Sequence, residues 1–419
     1  METLYINGGK VLNGDTDIVA SKNALLPILA GSILVDGDVD ILEVAYFSDV
    51  NIMIKILESL GSKVSRQDNN LHIDSSGVKN NYIQEEYTKL VRSSIFMLGP
   101  LLSRLKKAKV AYPGGCNIGN RPIDLHLKGL ELLGVKIEEK HGFIYCDGSH
   151  MKANDIHLDF PSVGATENLM MASVCLKGVT TIYNAAREPE IEDLQNYLNS
   201  MGACVVGAGS STIVIKGVEK LHSTTYTPIK DRIVAGTYMI ACAMAGGDIY
   251  LKNTLCSHNT ALINKLKEAG VKVKPDKAGI RVIAKNKPKA ISFETMPYPG
   301  FPTDLQNQML TMCCIAKGAS IITENLYESR LKICHELGKM GADITVKNRM
   351  AIVRGVSGLY GANVVAGDLR GGASLVLAGL VAKGYTTIED IYHIDRGYLH
   401  IEEDLCRLNA EIKRISVNN

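Results

Sequence analysis

The chain has 419 residues, of which 46% are hydrophobic and 21% charged, and its formal net charge is +2. A chain of this length is too long for one ordinary core, so we expect at least two domains. The near-neutral charge excludes a global field that would attract nucleic acid or an anionic membrane, so any anion site must be local.

The amino-terminal segment, residues 1–5, has no basic stretch followed by an apolar one, so no signal peptide is predicted. No apolar run reaches the roughly 18 residues of a membrane span. The cysteines are scattered without a C-x-x-C pair, and we expect reduced thiols in a cytoplasmic protein. Cys313 and Cys314 lie in an apolar run and are expected to be buried and inert. No His and Cys spacing indicates a metal site.

One sequence pattern recurs six times along the chain: the predicted end of a helix, then a glycine, then a predicted strand. The glycine, replaced by asparagine in the last copy, stands at positions 61, 134, 202, 270, 341 and 409. A regular spacing over the whole chain indicates internal duplication. Glycine and asparagine suit the left-handed backbone position that ends a helix. The apolar helices that we predict upstream are expected to be buried on all sides; they span 166–175, 233–245, 305–316 and 374–382.

The repeats also predict the domain organisation. The last copy has room for only one strand after Asn409, and a strand over Leu4–Asn7 could complete it. Six copies divide most simply into two groups of three, with a seam in the polar segment 223–228 and a second crossing near residue 20. We therefore predict an α/β protein with two domains, 21–229 and 1–20 joined with 230–419. These would be hinged around a cleft, a common place for a ligand site.

Polar residues stand at the start of several apolar helices, where a helix N-terminus favours anions. In chain order they are Ser21-Lys22-Asn23, Arg92-Ser93-Ser94, Ser162-Val163-Gly164 and Thr303-Asp304. Each can be an ordinary helix cap beside a solvated charge. Each can also be part of an anion site, with Asp304 as a general base. The residues by themselves leave both interpretations open.

A glycine-rich loop over residues 113–124 carries Cys116, with Arg121 five residues further on. Its glycines would let a ligand approach closely, and the arginine would favour the thiolate. A surface turn with an incidental cysteine is the alternative. Further arginines begin or end structured runs; singly each could form a surface ion pair, but together they suggest a positive cleft for a substrate with several negative charges. They are Arg187, Arg330, Arg370 and Arg396.

The sequence has no P-loop, G-x-G-x-x-G, H-E-x-x-H or G-x-S-x-G motif, so it gives no support to nucleotide-cofactor, zinc-hydrolase or serine-hydrolase functions. Its long motifs instead closely resemble the UDP-N-acetylglucosamine 1-carboxyvinyltransferase family of the EPSP synthase superfamily. They run in order over nearly the full length, at residues 21–24, 113–126, 162–166, 184–190, 301–306 and 391–398.

The resemblance implies a fold of two inside-out α/β barrel domains, each built from three βαβαββ repeats, in agreement with the six copies. It implies transfer of the enolpyruvyl group from phosphoenolpyruvate to the 3-hydroxyl of UDP-N-acetylglucosamine, with release of phosphate. This is the first committed step of peptidoglycan synthesis, and it needs neither a metal nor an organic cofactor. A cytoplasmic monomer that binds no nucleic acid or membrane is expected.

The resemblance also implies residue roles. Cys116 would donate a proton to the methylene carbon of the enol, form a covalent adduct with phosphoenolpyruvate, and be alkylated by fosfomycin. Asp304 would take the proton from the sugar hydroxyl. Three cations would hold the phosphate, namely Lys22, Arg121 and Arg396. Arg330 and Arg370 would surround the carboxylate and the anionic intermediate. The other implied substrate-binding residues are Asn23, Arg92, Pro122, Ile123, Asp124, Leu125, Ser162, Val163, Gly164 and Leu326.

The chain departs from the family at Ser48 and Phe160, where some members carry lysines, so the substrate contacts implied there stay open. Three other functions were weighed. EPSP synthase is disfavoured because its L-G-N-A-G-T-x-x-R motif is absent from this chain and because EPSP synthase lacks the loop cysteine. A non-catalytic paralogue that binds UDP-N-acetylglucosamine is disfavoured by the intact acid and base. A repeat scaffold or nucleic-acid clamp is disfavoured because no basic stripe is present.

Overall fold

The computed structural model describes residues 2–114, 118–119 and 122–416. Two predicted site residues, Cys116 and Arg121, lie outside the described residues. The described chain forms two compact units. We call residues 2–18, 118–119 and 230–416 the terminal unit, and residues 19–114 and 122–229 the inner unit.

The strands of the described chain are β1 Glu2–Asn7, β2 Leu12–Asp17, β3 Asp38–Ile41, β4 Lys63–Gln67, β5 Asn70–Asp74, β6 Tyr82–Ile83, β7 Lys107–Ala111, β8 Lys136–Lys140, β9 Phe143–Asp147, β10 Asp155–His157, β11 Val179–Tyr183, β12 Cys204–Val206, β13 Thr212–Lys216, β14 Thr224–Tyr226, β15 Gly247–Lys252, β16 Lys272–Pro275, β17 Gly279–Ala284, β18 Phe293–Glu294, β19 Ala319–Thr323, β20 Asp343–Lys347, β21 Met350–Arg354, β22 Asn363–Val365, β23 Tyr385–Glu389 and β24 Glu411–Ser416.

The α-helices are α1 Lys22–Gly31, α2 Ser48–Leu60, α3 Glu85–Leu90, α4 Leu98–Leu105, α5 Asp124–Leu132, α6 Val163–Ser173, α7 Pro189–Ser200, α8 Arg232–Ala245, α9 Thr260–Glu268, α10 Gln306–Cys314, α11 Ile333–Lys339, α12 Leu369–Val381 and α13 Ile401–Arg407.

Each unit contains three sheets of four strands, and all six sheets have the same order. The inner unit has β14-β3-β5-β4, β6-β7-β9-β8 and β10-β11-β13-β12; the terminal unit has β2-β15-β17-β16, β18-β19-β21-β20 and β22-β23-β1-β24. In every sheet the first two strands are parallel and the other pairs antiparallel. This is the pattern of a βαβαββ unit, so the six repeats predicted from the sequence are confirmed.

Strand β1 lies between β23 and β24 and pairs antiparallel with both, with Leu4 opposite Ile388 and Arg414. The prediction that an N-terminal strand completes the last repeat is therefore confirmed. Within the polar segment 223–228, where we predicted a seam, residues 224–226 form β14 and pair in parallel with β3. The chain belongs to the terminal unit at residues 118–119, is back in the inner unit by residue 122, and passes to the terminal unit again after Ile229.

Two kinds of helix alternate along each repeat. Helices α1, α4 and α6 of the inner unit, and α8, α10 and α12 of the terminal unit, are buried along nearly their whole length. Their apolar residues on every side require this position. The other helices bury one face only, as α2 does. Cys313 is fully buried in α10, and burial raises the pKa of its thiol to about 11. The predicted buried helices and inert thiol are thus confirmed.

The residues that end the outer helices have the predicted left-handed backbone. The φ angles are 111°, 88°, 92°, 96° and 88° at Gly61, Gly134, Gly202, Gly270 and Gly341, and 73° at Asn409. Each helix therefore stops at the same point of its repeat and is followed directly by the edge strand that stands last in its sheet order.

Candidate functional site

The predicted site residues stand where the buried helices begin. Lys22 is the first residue of α1, and Arg92 begins a 3-10 helix that leads into α4. Ser162 precedes α6, Asp304 lies in a 3-10 helix that leads into α10, and Arg370 is the second residue of α12. Because free N–H groups give a helix N-terminus partial positive charge, all five starts favour anions.

In the terminal unit, two arginines hold one carboxylate. Asp304 Oδ1 accepts from Nη2 of Arg330 at 2.5 Å, and Oδ2 accepts from Nη2 of Arg370 at 3.0 Å. The arginine side chains are 3% and 5% exposed, whereas Asp304 is 27% exposed. Such charge-assisted bonds keep the carboxylate ionised and fix its orientation. Interpreting Asp304 as an ordinary helix cap is therefore wrong.

Some hydrogen-bond donors of the same two arginines are not used by Asp304. Within the described part of the chain, Nε and Nη1 of Arg330 and Nη1 of Arg370 are buried without a hydrogen-bond partner. Burial disfavours the charge of Arg370, but Asp304, Tyr398 and Asp231 outweigh it and raise the pKa of this guanidinium. Unsatisfied buried donors on a cation are costly, so their presence indicates a place for an anionic ligand.

Glu324 forms hydrogen bonds with the two segments that carry Asp304 and Arg330. Its carboxylate is fully buried and accepts from the Thr303 hydroxyl at 2.9 Å, beside Asp304. It also accepts from the backbone N–H groups of Leu326 at 2.8 Å and Tyr327 at 3.0 Å, in the segment that leads to Arg330. The predicted residue Leu326 is half-buried there.

Two other predicted elements belong to the terminal unit. Arg396 ends a 3-10 helix over Ile391–Arg396 and is half-buried. Burial and then the charge of Arg396 lower the pKa of His393. Ile118, two residues after Cys116, accepts at its carbonyl from the Ser329 N–H at 3.1 Å. The loop beyond the cysteine thus contacts the segment that carries Arg330.

In the inner unit, Lys22 forms an ion pair with Asp49, at 2.7 Å between Nζ and Oδ2. Their side chains are 9% and 3% exposed, so the interpretation of Lys22 as a solvated lysine is wrong. Asn23 is half-buried beside it, as is Arg92 at the next helix start. The hydroxyls of Ser93 and Ser94 make no capping hydrogen bond. Helix capping alone therefore does not explain these two starts.

The start of α6 combines a cap with a wider network. Ser162 Oγ accepts from the Ala165 N–H at 3.4 Å, which confirms the cap, while Val163 and Gly164 are half-buried. Asn168 Nδ2 donates to Ile95 O and to His126 Nδ1, each at 2.8 Å. With the amide oriented in this way, His126 is neutral and carries its proton on Nε2.

That Nε2 borders the helix start, because a Cβ added at Gly164 would lie 3.2 Å from it. A side chain at this position would press on the imidazole and on the ring of Phe96, whose Cε1 would lie 3.0 Å from the added Cβ. His126 was part of the quoted motif but was not predicted as a site residue. Its place in the first turn of α5, directly after the glycine-rich loop, was the available signal.

The remaining predicted residues are less enclosed. Pro122 and Asp124 are exposed at the start of α5, Ile123 is buried and Leu125 half-buried. The two departures differ: Ser48 is the first residue of α2, beside Asp49, whereas Phe160 is 44% exposed.

Arg187 is exposed and belongs to the inner unit. Among the residues described here, no three His, Cys, Asp or Glu side chains could hold a metal ion. Over the same residues, no helix is long and apolar enough to cross a membrane.

Asp231 and Glu324 are further polar residues that the sequence did not single out. Asp231 caps α8 by accepting from the N–H groups of Ile233 and Val234, at 2.8 and 2.9 Å. The repeat itself was the missed signal, because α8 begins at the same point of its repeat as the five helices whose starts were predicted. Glu324 follows a strand and carried no comparable signal.

The comparisons with known proteins agree on a family. Residues 6–405 match the family model of EPSP synthase (3-phosphoshikimate 1-carboxyvinyltransferase). The chain is 52% identical to UDP-N-acetylglucosamine 1-carboxyvinyltransferase 2 of Caldanaerobacter subterraneus, over 99% of this chain and 100% of that protein. It is 47% identical to UDP-N-acetylglucosamine 1-carboxyvinyltransferase of Geobacter metallireducens, with the same coverage.

Solved structures share the fold at low identity. The enolpyruvyl transferase NikO from Streptomyces tendae matches with a TM-score of 0.89 and 22% identity, over 100% of this chain and 99% of that one. EPSP synthase from Acinetobacter baumannii matches with a TM-score of 0.78 and 18% identity, over 99% and 100%. These similarities confirm the predicted architecture of two inside-out α/β barrels.

Proposed function

The chain belongs to the EPSP synthase family, and from this we propose that it transfers the enolpyruvyl group of phosphoenolpyruvate to the 3-hydroxyl of UDP-N-acetylglucosamine, releasing phosphate. The observation that carries the choice of acceptor is the near-complete overlap with relatives of that name at 47–52% identity. The product would be the first committed intermediate of peptidoglycan synthesis.

The cluster around Asp304 supports this chemistry. Phosphoenolpyruvate is a compact anion with a charge at each end, and the unpartnered donors of Arg330 and Arg370 suit its carboxylate. Lys22, Arg121 and Arg396 are proposed to hold its phosphate. The roles are thus distributed over both units, and we propose 21–229 and 1–20 with 230–419 as the two functional domains.

The reaction needs an acid and a base. The sugar hydroxyl oxygen forms a bond to C2 of phosphoenolpyruvate, Asp304 takes the hydroxyl proton, and the Cys116 thiol gives a proton to C3. The resulting tetrahedral intermediate then returns a proton from C3 to the Cys116 thiolate, the C2–C3 double bond re-forms, and the C–O bond to phosphate breaks with the electron pair leaving on phosphate. For Asp304 to act as the base, an anion on Arg330 and Arg370 must first compete with it for their positive charge.

The sugar nucleotide is assigned to the inner unit. Asn23, Arg92, Ser162, Val163 and Gly164 stand at helix starts, where N–H groups suit a diphosphate. The proposal further includes Pro122, Ile123, Asp124, Leu125 and, from the terminal unit, Leu326. We propose a monomer, and we place the reaction in the cytoplasm because both substrates are phosphorylated and do not cross membranes unaided.

Phosphate release tests the reaction directly. Release is measured with phosphoenolpyruvate plus UDP-N-acetylglucosamine, with shikimate 3-phosphate as the acceptor in a parallel assay. We expect release only with the sugar nucleotide. Release only with shikimate 3-phosphate would make the chain an EPSP synthase, and binding of the sugar nucleotide without release would make it a non-catalytic paralogue.

Fosfomycin tests the role of Cys116. We expect irreversible loss of activity, with a stoichiometric adduct on Cys116 in the mass spectrum. Cys116→Asp is expected to keep turnover and to resist fosfomycin, because a carboxylic acid can donate a proton but is not alkylated in the same way. Full fosfomycin sensitivity of this variant would disprove the assignment.

A further inference from the structure

We propose that Tyr398 is a positioning residue of this reaction, which orders Asp304 through a buried hydrogen-bond network with Thr237 and Gln308 and supports Arg370 through its ring. The inference rests on the proposed function. It concerns side chains of the terminal unit alone, and each of the three network residues is at most 1% exposed.

The network has one consistent arrangement of protons. Thr237 Oγ1 donates to Ile233 O at 2.8 Å, as a helical threonine commonly does. Its single proton is then used, so at 2.8 Å the Tyr398 hydroxyl donates to Thr237 Oγ1. Gln308 Nε2 lies 3.3 Å from the Tyr398 hydroxyl and 3.2 Å from Thr237 Oγ1, and donates towards them. Tyr398 therefore acts as donor and acceptor at once.

The network reaches the proposed base through the backbone. Gln308 Nε2 also donates to the carbonyl oxygen of Asp304 at 3.1 Å. Gln308 lies in α10, Thr237 in α8, and Tyr398 follows the 3-10 helix 391–396, so the carbonyl of Asp304 is connected to all three repeats of the unit. Because hydrogen bonds in a buried network reinforce one another, loss of the central hydroxyl should loosen the whole set.

The ring of Tyr398 packs against Arg370, one of the cations proposed to bind the substrate. The guanidinium carbon of Arg370 lies 5.7 Å from the ring centroid, within the range of a cation–π contact. The backbone N–H of Tyr398 donates to Ile394 O at 3.0 Å, which joins the main chain at Tyr398 to the helical turn that ends at Arg396. One side chain thus has two separable parts: the hydroxyl orders Asp304, and the ring supports Arg370.

These parts predict different kinetic effects. Tyr398→Phe removes the hydroxyl but keeps the ring, so kcat should fall by about threefold to tenfold, while KM for phosphoenolpyruvate changes by less than about twofold. Tyr398→Leu removes both, so kcat should fall further and KM for phosphoenolpyruvate should rise by about fivefold or more. Thr237→Val should reproduce the kcat effect of Tyr398→Phe because it removes the acceptor of the hydrogen bond whose donor Tyr398→Phe removes.

Tyr238→Phe is the matched control. Tyr238 neighbours Thr237 in α8, is 1% exposed, and its hydroxyl donates to Asp404 Oδ2 at 2.7 Å, outside the network. We expect it to lower the melting temperature as much as Tyr398→Phe does, with kcat unchanged. A wild-type kcat for Tyr398→Phe, or an equal loss of kcat in Tyr238→Phe, would overturn the inference.

Calorimetric binding of phosphoenolpyruvate provides a readout that needs no turnover. Weaker binding to Tyr398→Leu than to Tyr398→Phe supports the ring's role, and equal binding refutes it. If the wild-type protein turns over no UDP-N-acetylglucosamine, the proposed function fails, whereas this binding comparison still decides whether Tyr398 positions Arg370. If the wild type turns over but the kinetic differences are absent, only the inference fails.

Discussion

Removal of the charge on Asp304 should destabilise the terminal unit as well as stop the reaction. In Asp304→Asn, the buried guanidiniums of Arg330 and Arg370 lose the carboxylate that each of them contacts. Active-site carboxylates are often removed at no cost in stability, or with a gain, because they repel their surroundings. Here the surroundings are two cations, so the expected sign is the opposite.

The magnitude follows from the two contacts. A hydrogen bond to a charged group contributes about 1.5–3 kcal/mol, and two of them give roughly 3–6 kcal/mol. Asp304 is 27% exposed, so solvent screens part of this, and about 3 kcal/mol is expected. For a unit of this size, that corresponds to a fall of roughly 6–12 °C in melting temperature.

The assay is thermal unfolding without ligand and with inorganic phosphate or phosphoenolpyruvate. Either anion should stabilise Asp304→Asn more than the wild type, because the freed guanidinium donors bind it without competition from the carboxylate. The control is Asp248→Asn, which breaks an exposed pair with Arg281 and should change stability by less than about 1 kcal/mol. The reasoning is refuted if Asp304→Asn melts with the wild type, or if anions stabilise both proteins equally.

Four further outcomes are expected. Lys22→Met should abolish phosphate release and lower the melting temperature, because Asp49 stays buried without the ammonium at 2.7 Å; a merely exposed lysine would show neither effect. Asn168→Leu should destabilise the inner unit by about 3 kcal/mol in urea unfolding, since Gly99 N, Ile95 O and His126 lose their partner, and an unchanged midpoint would contradict this network. Burial raises the pKa of Asp193 to about 6, so this carboxyl binds its proton more tightly in the folded protein. The contribution of this proton to the free energy of unfolding is complete below about pH 4 and is lost as the pH rises through 6. The free energy of unfolding of Asp193→Asn should therefore rise by up to about 3 kcal/mol relative to wild type between pH 4 and 7, whereas a constant difference would refute the shift. Gly355→Ala should cost about 3 kcal/mol or prevent folding, since its Cβ would lie 1.7 Å from Ala316 O, whereas Gly358→Ala, with its nearest neighbour at 3.6 Å, should be tolerated.

The elements that the sequence predicted well depend on local chemistry. Gly61 and its five equivalents end helices because of their own backbone preference, and α8 is buried because its residues are apolar on every side. The seam predicted at 223–228 rested on polar residues alone, whereas the place of β14 within that segment depends on its pairing with β3, more than 180 residues away in the chain. No short-range pattern in Thr-Thr-Tyr encodes that partner.

The predicted site shows the same division. The helix starts were identified correctly, but the local sequence could not distinguish a cap from an ion pair at Asp304. Its partners are 26 and 66 residues further along the chain. Likewise, Lys22 resembles a solvated lysine until folding brings the start of α2 beside it. The position of these residues at helix starts was therefore predictable, whereas their burial and charge partners depended on tertiary structure.

The central position of β1 affects how the protein can fold during synthesis. This strand is synthesised before the other strands described here, but its pairing partners β23 and β24 begin only at residues 385 and 411. The inner unit can complete its sheets once β14 has emerged at residue 226. The inner unit can therefore fold while translation continues, whereas β1 must remain unpaired until β23 and β24 have been made. Polar Glu2, Thr3 and Asn7 around its few apolar residues should help to keep that waiting segment from pairing with other chains.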